Sequence, residues 1–353
     1  MGLSKGFWQD RRVLVTGHTG FKGGWVSLWL HQLGAKVTGY ALAPPSHPNL
    51  FEVARVGELV QSVQADIRDR ARLSAVIGEF QPEIILHFAA QSLVRESYQT
   101  PVETFEVNVL GTANLLEAAR SCRAVRAIVI VTSDKCYENR EWLWPYRDSE
   151  SLGGHDPYSS SKACAELVTA AYRSSFFLES GSALVATVRA GNVIGGGDWA
   201  NDRLVPDIVR ALLSGRHVSI RDPGAVRPWQ HVLDPLHGYL LLAERLCSGQ
   251  REFADAWNFG PTDDGMKPVS WIVERALSAW GADTAWEHDG KPRPHEAMLL
   301  RLDSSKARAR LAWQPRLELS KALDWTVEWF RACKDGRDMQ QVSLDQLGRY
   351  GSK

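Results

Sequence analysis

Arg12-Val13-Leu14-Val15-Thr16, followed by Gly17-His18-Thr19-Gly20-Phe21-Lys22-Gly23, decides how this chain is read. The first five residues are a short apolar run, as expected of a strand buried on both faces. From Gly23 to Leu33 the apolar residues recur at helical spacing. The three glycines therefore occupy a G-x-x-G-x-x-G turn between a strand and a helix. Gly17 permits the tight turn, Gly20 lets backbone approach a pyrophosphate, and Gly23 lets the helix pack closely on the strand. Unpaired N–H groups at the helix start complete an anion site, with Phe21 and Lys22 in the same turn. A glycine pattern alone is weak evidence. In this strand–turn–helix context it reads as a dinucleotide cradle.

Working outward, strands and helices alternate. Ala35–Tyr40, Leu59–Gln64, Glu83–Phe88, Ala127–Thr132 and Ala183–Arg189 are further strand candidates. Arg68–Phe80, a long amphipathic Val102–Arg120 and Tyr158–Phe177 are the intervening helices. Strands joined by helical crossovers imply an α/β fold with a doubly wound parallel sheet. After Arg189 the rhythm gives way to a Gly-rich stretch, Gly191–Asp198, and to short mixed segments. A soft boundary near Ala190 is expected. Residues 1–190 would bind the cofactor, and 191–335 would form a smaller C-terminal α/β substrate domain that could return a strand to the first. Residues 336–353 read as a polar, loosely held tail.

The 353 residues suit about two domains. A hydrophobic fraction of 44% excludes a disordered chain. Lys+Arg 41 cancels Asp+Glu 41, so no net field draws a polyanion or an acidic membrane, and neither nucleic acid nor a membrane is expected as a partner. No window approaches the ~18–20 apolar residues of a membrane span, and the first residues lack a signal-peptide core. The five cysteines form no C-x-x-C pair, so reduced thiols, no metal site and a cytoplasmic location are expected. Most of the 14 Trp residues are expected in the core.

One element of a dinucleotide site is missing. A ribose-binding carboxylate is expected about 20 residues after the turn. No Asp or Glu occurs between Asp10 and Glu52, and Lys22 and Lys36 lie nearby instead. NAD is expected, but the residues alone leave NADP open. Asp66-Ile67, after the third strand, either holds the adenine edge or belongs to a helix N-cap.

Tyr158-Ser159-Ser160-Ser161-Lys162 places a phenol and an ammonium on one helix face. The ammonium would lower the phenol's pKa and make it a usable base for a sugar hydroxyl. Ser133 stands at the end of the fifth strand, where such sheets bind ligands. With the glycine turn, this constellation resembles the short-chain dehydrogenase/reductase superfamily, and length and second domain resemble its extended, nucleotide-sugar-modifying branch. The resemblance implies a Rossmann-type fold. It implies that Tyr158 takes the sugar proton, Lys162 also holds the nicotinamide ribose, and Ser133 bonds the reacting oxygen. Asn108 matches that branch's helix Asn, with a structural role as the alternative.

Thr132-Ser133-Asp134-Lys135-Cys136-Tyr137 is more telling. Where deoxythymidine-diphosphate-glucose 4,6-dehydratases carry Thr-Asp-Glu, this chain has Ser-Asp-Lys. It is similar instead to the cytidine-diphosphate-glucose 4,6-dehydratases. Thr16–Leu30, Arg189–Trp199 and Arg227-Pro228-Trp229-Gln230-His231-Val232 carry the same likeness, which runs from Trp8 to Phe330. It implies a lyase: oxidation at C4 makes C5–H acidic, water leaves across C5–C6, and the hydride returns to C6. Asp134 would protonate the leaving hydroxyl. Lys135 would take the C5 proton if neutral, or stabilise an enolate. A carboxyl beside an ammonium would ordinarily pair with it and stay ionised, and the bland alternative is an exposed charge pair.

Asn192 and Arg227 resemble residues that contact the substrate diphosphate, and an Arg fork suits phosphate oxygens. Arg203 and Arg293 are weaker candidates, with surface salt bridges as competitors. His87 and His231 read as packed rather than catalytic. The family also implies a homodimer built on the Val102–Arg120 and Tyr158–Phe177 helices. Other readings are a nucleotide-sugar 4-epimerase, which needs only Ser133, Tyr158 and Lys162, and a dinucleotide sensor without turnover.

Overall fold

The computed structural model describes residues 2–282, 285–290 and 299–352. A short helix α1 (Lys5–Trp8) leads into β1 (Arg12–Thr16), and α2 (Phe21–Gln32) carries the chain to β2 (Lys36–Ala41). A one-turn helix α3 (Leu50–Val53) precedes β3 (Gln61–Gln64), and α4 (Arg70–Phe80) leads to β4 (Ile84–His87). Helices α5 (Val94–Gln99), α6 (Pro101–Phe105) and α7 (Gly111–Arg120) lie before β5 (Ala127–Val131), and α8 (Pro157–Phe176) before β6 (Leu184–Arg189). Next come β7 (Val193–Ile194), α9 (Leu204–Leu213), β8 (Val218–Ile220), β9 (Val226–Pro228), β10 (Gln230–His231), α10 (Leu233–Cys247) and β11 (Ala256–Asn258). The order closes with β12 (Met266–Pro268), α11 (Val269–Trp280), β13 (Trp286–His288), α12 (Ser305–Leu311), α13 (Leu319–Lys334) and α14 (Met339–Gly351).

A seven-stranded sheet in the order β11–β6–β5–β4–β1–β2–β3 organises the chain, and every neighbouring pair is parallel. Strand alternation feeds a core on each face. Val13, Val15, Ile84, Leu86 and Val129 pack on the side of α2 and α10. Leu14, Ile85, Ile128 and Ile130 pack on the side of α4 and α7. This two-sided burial is why the strands read as apolar runs rather than alternating ones. The order reverses at β1, which lies between β2 and β4, so a crevice opens at the carboxyl ends of β1, β4 and β5.

The expected Val102–Arg120 helix is not continuous. A π-helical turn, Glu106–Leu110, separates α6 from α7. It accompanies Asn108, whose side chain turns inward to bond neighbouring elements. The boundary near Ala190 is crossed twice. Helix α10 packs on β5, β6 and α2, and β11 pairs with β6. The expected loose tail is instead the helix α14, capped by Asp338 and burying Met339, Val342, Leu347 and Tyr350 against α2 and α13. A polar composition hid a one-sided apolar stripe.

Candidate active site

The glycine turn has the geometry of a phosphate cradle. Gly17 has φ +74°, and a Cβ there would lie 2.7 Å from the Ala89 nitrogen. A Cβ on Gly23 would lie 2.1 Å from the Gly17 carbonyl oxygen. Gly20 occupies the N-cap of α2 without a side-chain cap, so the first-turn N–H groups face outward for an anion. Phe21 packs its ring tip toward Gly195.

At the carboxyl end of β2 the Thr19 hydroxyl donates to the Leu42 carbonyl, 2.9 Å. The next residues, Ala43, Pro44 and Pro45, carry no charge. Lys36 sits at the opposite end of β2, paired with Asp10 at 3.1 Å. Lys22 turns into the catalytic centre instead of toward the ribose, where Arg203, Asp134 and Asp198 act on it and burial lowers its ammonium to about 8. Asp66 is gripped by Arg68 at 2.7 Å, and that hydrogen bond holds its carboxyl below the usual range. The helix N-cap is Asp69, not Asp66. Ile67 is buried against Gly111.

Ser133, two residues past the end of β5, caps a short turn, Asp134–Cys136, accepting the Lys135 N–H at 3.2 Å. Its hydroxyl donates to Asp134 Oδ1 at 3.0 Å and lies within hydrogen-bonding reach of the Tyr158 phenol. Asp134 is 4% exposed, and its Oδ2 has no partner among the described residues. A Cβ at Gly191 would stand 3.1 Å from that oxygen, so only glycine leaves the carboxyl its room. Burial raises the Asp134 pKa and outweighs the opposing pull of Lys135, Ser133, Lys22 and Arg227. Among the described residues no ion pair joins Asp134 to Lys135. Desolvation thus resolves the conflict that the adjacent charges posed.

Tyr158 differs from expectation. Burial pushes its phenol up to about 12, with the Ser133 hydrogen bond and the Arg203 charge opposing. Lys162 is itself buried, its ammonium lowered to about 8 by burial first and then by Lys22, and its Nζ donates to the Val131 carbonyl at 3.3 Å. Two desolvated groups on one helix face shift each toward neutrality, which an i, i+4 spacing does not reveal.

Asn108 is placed differently from a substrate ligand. Its amide donates to the Gln91 carbonyl at 3.0 Å and to the Ser161 hydroxyl at 2.8 Å, while its Oδ1 accepts the Gln91 N–H at 2.9 Å. Both amide hydrogens are engaged, so it braces the loop after β4 on α8. Arg203 binds Asp198 at 3.0 Å and reaches Ser92, with its charge acting on Tyr158. Arg227 lies on β9, and its charge acts on Asp134. Asn192 is half-buried beside β7, and its carbonyl accepts the Gln230 N–H at 3.0 Å. Arg293 lies outside the described residues. His87 is packed between Thr16 and Thr112, and His231 edges onto Trp325. Sequence reasoning missed Asp198 and the Glu166–Arg189 pair. The Y-x-x-x-K-x-x-x-E spacing was the only signal for Glu166.

The arrangement can hold a dinucleotide, deprotonate and hold a sugar hydroxyl, and offer a carboxyl that burial biases toward its protonated form, within one crevice. The chain matches the family model described as GDP-mannose 4,6 dehydratase over residues 14–326. It is 51% identical to the CDP-glucose 4,6-dehydratase of Salmonella typhimurium, over 99% of each chain. It is 30% identical to the UDP-glucose 4-epimerase of Mycolicibacterium smegmatis, over 91% of this chain and 98% of that one. The solved dTDP-glucose 4,6-dehydratase of Streptomyces venezuelae, with NAD and TYD bound, superposes with a TM-score of 0.77 at 27% identity, covering 93% of this chain and 99% of that one. The chain belongs to the GDP-mannose 4,6-dehydratase family, within the extended branch of the short-chain dehydrogenase/reductase superfamily.

Proposed function

We propose that this chain is an NAD-dependent CDP-glucose 4,6-dehydratase that forms CDP-4-keto-6-deoxyglucose and water. The observation that carries the reading is Asp134: a buried, protonation-prone carboxyl, one oxygen of which has no partner among the described residues, next to Ser133 and Tyr158. An epimerase has no use for such an acid. The Salmonella relative supplies the nucleotide.

The residues present fit NAD. Gly17, Gly20 and Gly23 form the cradle, the Phe21 and Lys22 backbone lies in the first turn of α2, and Asp66 and Ile67 border the adenine side. Neither nearby lysine is placed to take a ribose phosphate at the end of β2, since Lys36 pairs with Asp10 at the other end of the strand and Lys22 is directed toward Asp134. When bound, NAD supplies a hydride acceptor for C4, a hydride donor for C6 and a positive charge that lowers the Tyr158 phenol.

Tyr158 takes the C4 hydroxyl proton while Ser133 holds that oxygen. Lys162, one turn along α8, holds the cofactor ribose. Asp134 gives its proton to the departing C6 hydroxyl. Lys135 faces the same step, either taking the C5 proton or balancing the enolate. Arg227, Arg203 and Asn192 line the second-domain side for the diphosphate. Asp198 competes with the substrate for Arg203.

We further infer a homodimer. Val102, Leu110 and Leu167 are 70%, 57% and 58% exposed on α6, the π turn and α8, and a second copy of the same face would cover them. The five free thiols suit a reducing, cytoplasmic setting. Among the described residues no helix is long and apolar enough to cross a membrane.

The deciding experiment incubates purified protein with CDP-glucose, with and without added NAD or NADP, followed by mass spectrometry. Loss of one water without net cofactor reduction is the expected result. An unchanged mass overturns it. In that case the galactose isomer would identify an epimerase, and cofactor binding without any conversion a sensor.

A further inference from the structure

A buried ion pair lies directly behind the catalytic strand end, and no step above uses it. Glu166 follows Lys162 by one turn of α8. Arg189, at the end of β6, grips its carboxylate as a fork, with Nε on Oε1 and Nη2 on Oε2, both at 2.8 Å. Each side chain is 3% exposed. Each carboxylate oxygen also accepts a threonine hydroxyl: Thr132 on Oε1 at 2.5 Å and Thr187 on Oε2 at 2.6 Å. The remaining Arg189 nitrogen donates to the Tyr137 hydroxyl at 2.6 Å and the Asp148 carbonyl at 2.8 Å.

Such a pair is poorly explained by stability alone, because desolvating two charges costs about as much as their attraction returns. A bidentate fork with every acceptor engaged is, however, geometrically rigid. What it grips is informative. Thr132 immediately precedes Ser133 and Asp134, whereas Glu166 shares its helix with Tyr158 and Lys162. The Thr132 hydroxyl therefore ties the strand that carries the acid to the helix that carries the base.

We infer that Glu166, locked by Arg189, is a positioning residue for the proposed dehydration: through Thr132 it holds the Ser133–Asp134 turn after β5 at a fixed height over α8. The chemistry of this inference rests on the dehydratase reading, and its geometry on the hydrogen bonds alone.

Two near-isosteric variants test it. Thr132→Val and Thr187→Val each remove one hydroxyl from the same carboxylate, so a purely structural role predicts equal effects. Only Thr132 leads into the catalytic turn. Thr132→Val is expected to lower kcat roughly tenfold to hundredfold, with KM for CDP-glucose little changed. Reduced-nicotinamide absorbance should accumulate during its turnover, because Tyr158 on α8 still takes the C4 proton where the Ser133 hydrogen bond is weakened, whereas elimination needs Asp134 itself in place. Thr187→Val should retain wild-type kcat without that accumulation. In the cofactor-free protein, amide hydrogen exchange at residues 133–135 should quicken in Thr132→Val only. Equal kcat losses in the two variants, or unchanged exchange in Thr132→Val, would overturn the inference. A wild type that leaves CDP-glucose unconverted would sink the dehydratase reading, and the exchange comparison would then decide the positioning role by itself.

Discussion

Replacing Asp134 with Asn should make the protein more stable while removing most of its activity. The carboxyl is 4% exposed, accepts one hydroxyl at 3.0 Å through Oδ1 and has no partner on Oδ2 among the described residues. In the unfolded chain it titrates at about pH 4. In the native protein burial raises that value. Between the two values the native state binds more protons than the unfolded state, so the free energy of unfolding falls as pH rises. Above the native value the wild type carries the full cost of a buried carboxylate. An amide of the same shape carries no charge to desolvate. Asp134→Asn should therefore gain on the wild type as pH rises, with a higher Tm than the wild type at about pH 8 and convergence of the two near pH ~4. Turnover of CDP-glucose should drop about 10²–10⁴-fold, the usual contribution of a positioned acid. Thermal melts at the two pH values, together with single-turnover assays, read both quantities. A variant no more stable than wild type at the higher pH, or one that keeps its turnover, would refute the assignment of Asp134 as a buried acid.

Gly23→Ala should abolish measurable NAD binding by calorimetry, because its Cβ would lie 2.1 Å from the Gly17 carbonyl oxygen; wild-type affinity would show that the cradle is not the cofactor site. Leu110→Arg, on the exposed face, should sediment as a monomer, and an intact dimer would place the interface elsewhere. Tyr350→Phe removes the hydroxyl that donates to Asp234 Oδ1 at 2.8 Å, and should cost about 1.5–3 kcal/mol in chemical denaturation. Burial pushes Asp234 up to about 6, so that loss should be smaller at about pH 5 than at about pH 8, where the carboxylate needs its donor; no difference between the two would mean that the hydroxyl is not a partner of the charged form.

The parts of the fold legible in the sequence are those in which local pattern and tertiary role coincide. Strands β1, β4, β5 and β6 read as apolar runs because both faces are covered, and Arg12–Thr16 is a strand end to end. Helices α2, α4 and α8 were equally visible, within a residue or two at their ends, whereas α9, α10, α11 and α13 went unread among the mixed segments after Arg189. The π turn at Glu106–Leu110 was not visible, because it accompanies bonds from Asn108 to Gln91 and Ser161, partners distant in sequence. Helix α14 was missed for the same reason. Its buried stripe, Met339, Val342, Ser343, Gln346, Leu347 and Tyr350, includes polar residues, and it becomes a core only against α2 and α13.

The site divides along the same line. The sequence by itself determined which groups are present: the glycine cradle, Ser133, Asp134, Lys135, Tyr158 and Lys162 are read from type and spacing. It could not determine their charge. Protonation follows from burial and from neighbours brought in by the fold, and these decided that Asp134 is raised, that Lys162 and Lys22 are lowered, and that Tyr158 stays a neutral phenol until further positive charge arrives. Only the tertiary structure placed Glu166, Thr132 and Arg189 in one buried fork. Their contact joins a helix to two strand ends, and no periodicity along the chain encodes a contact between elements.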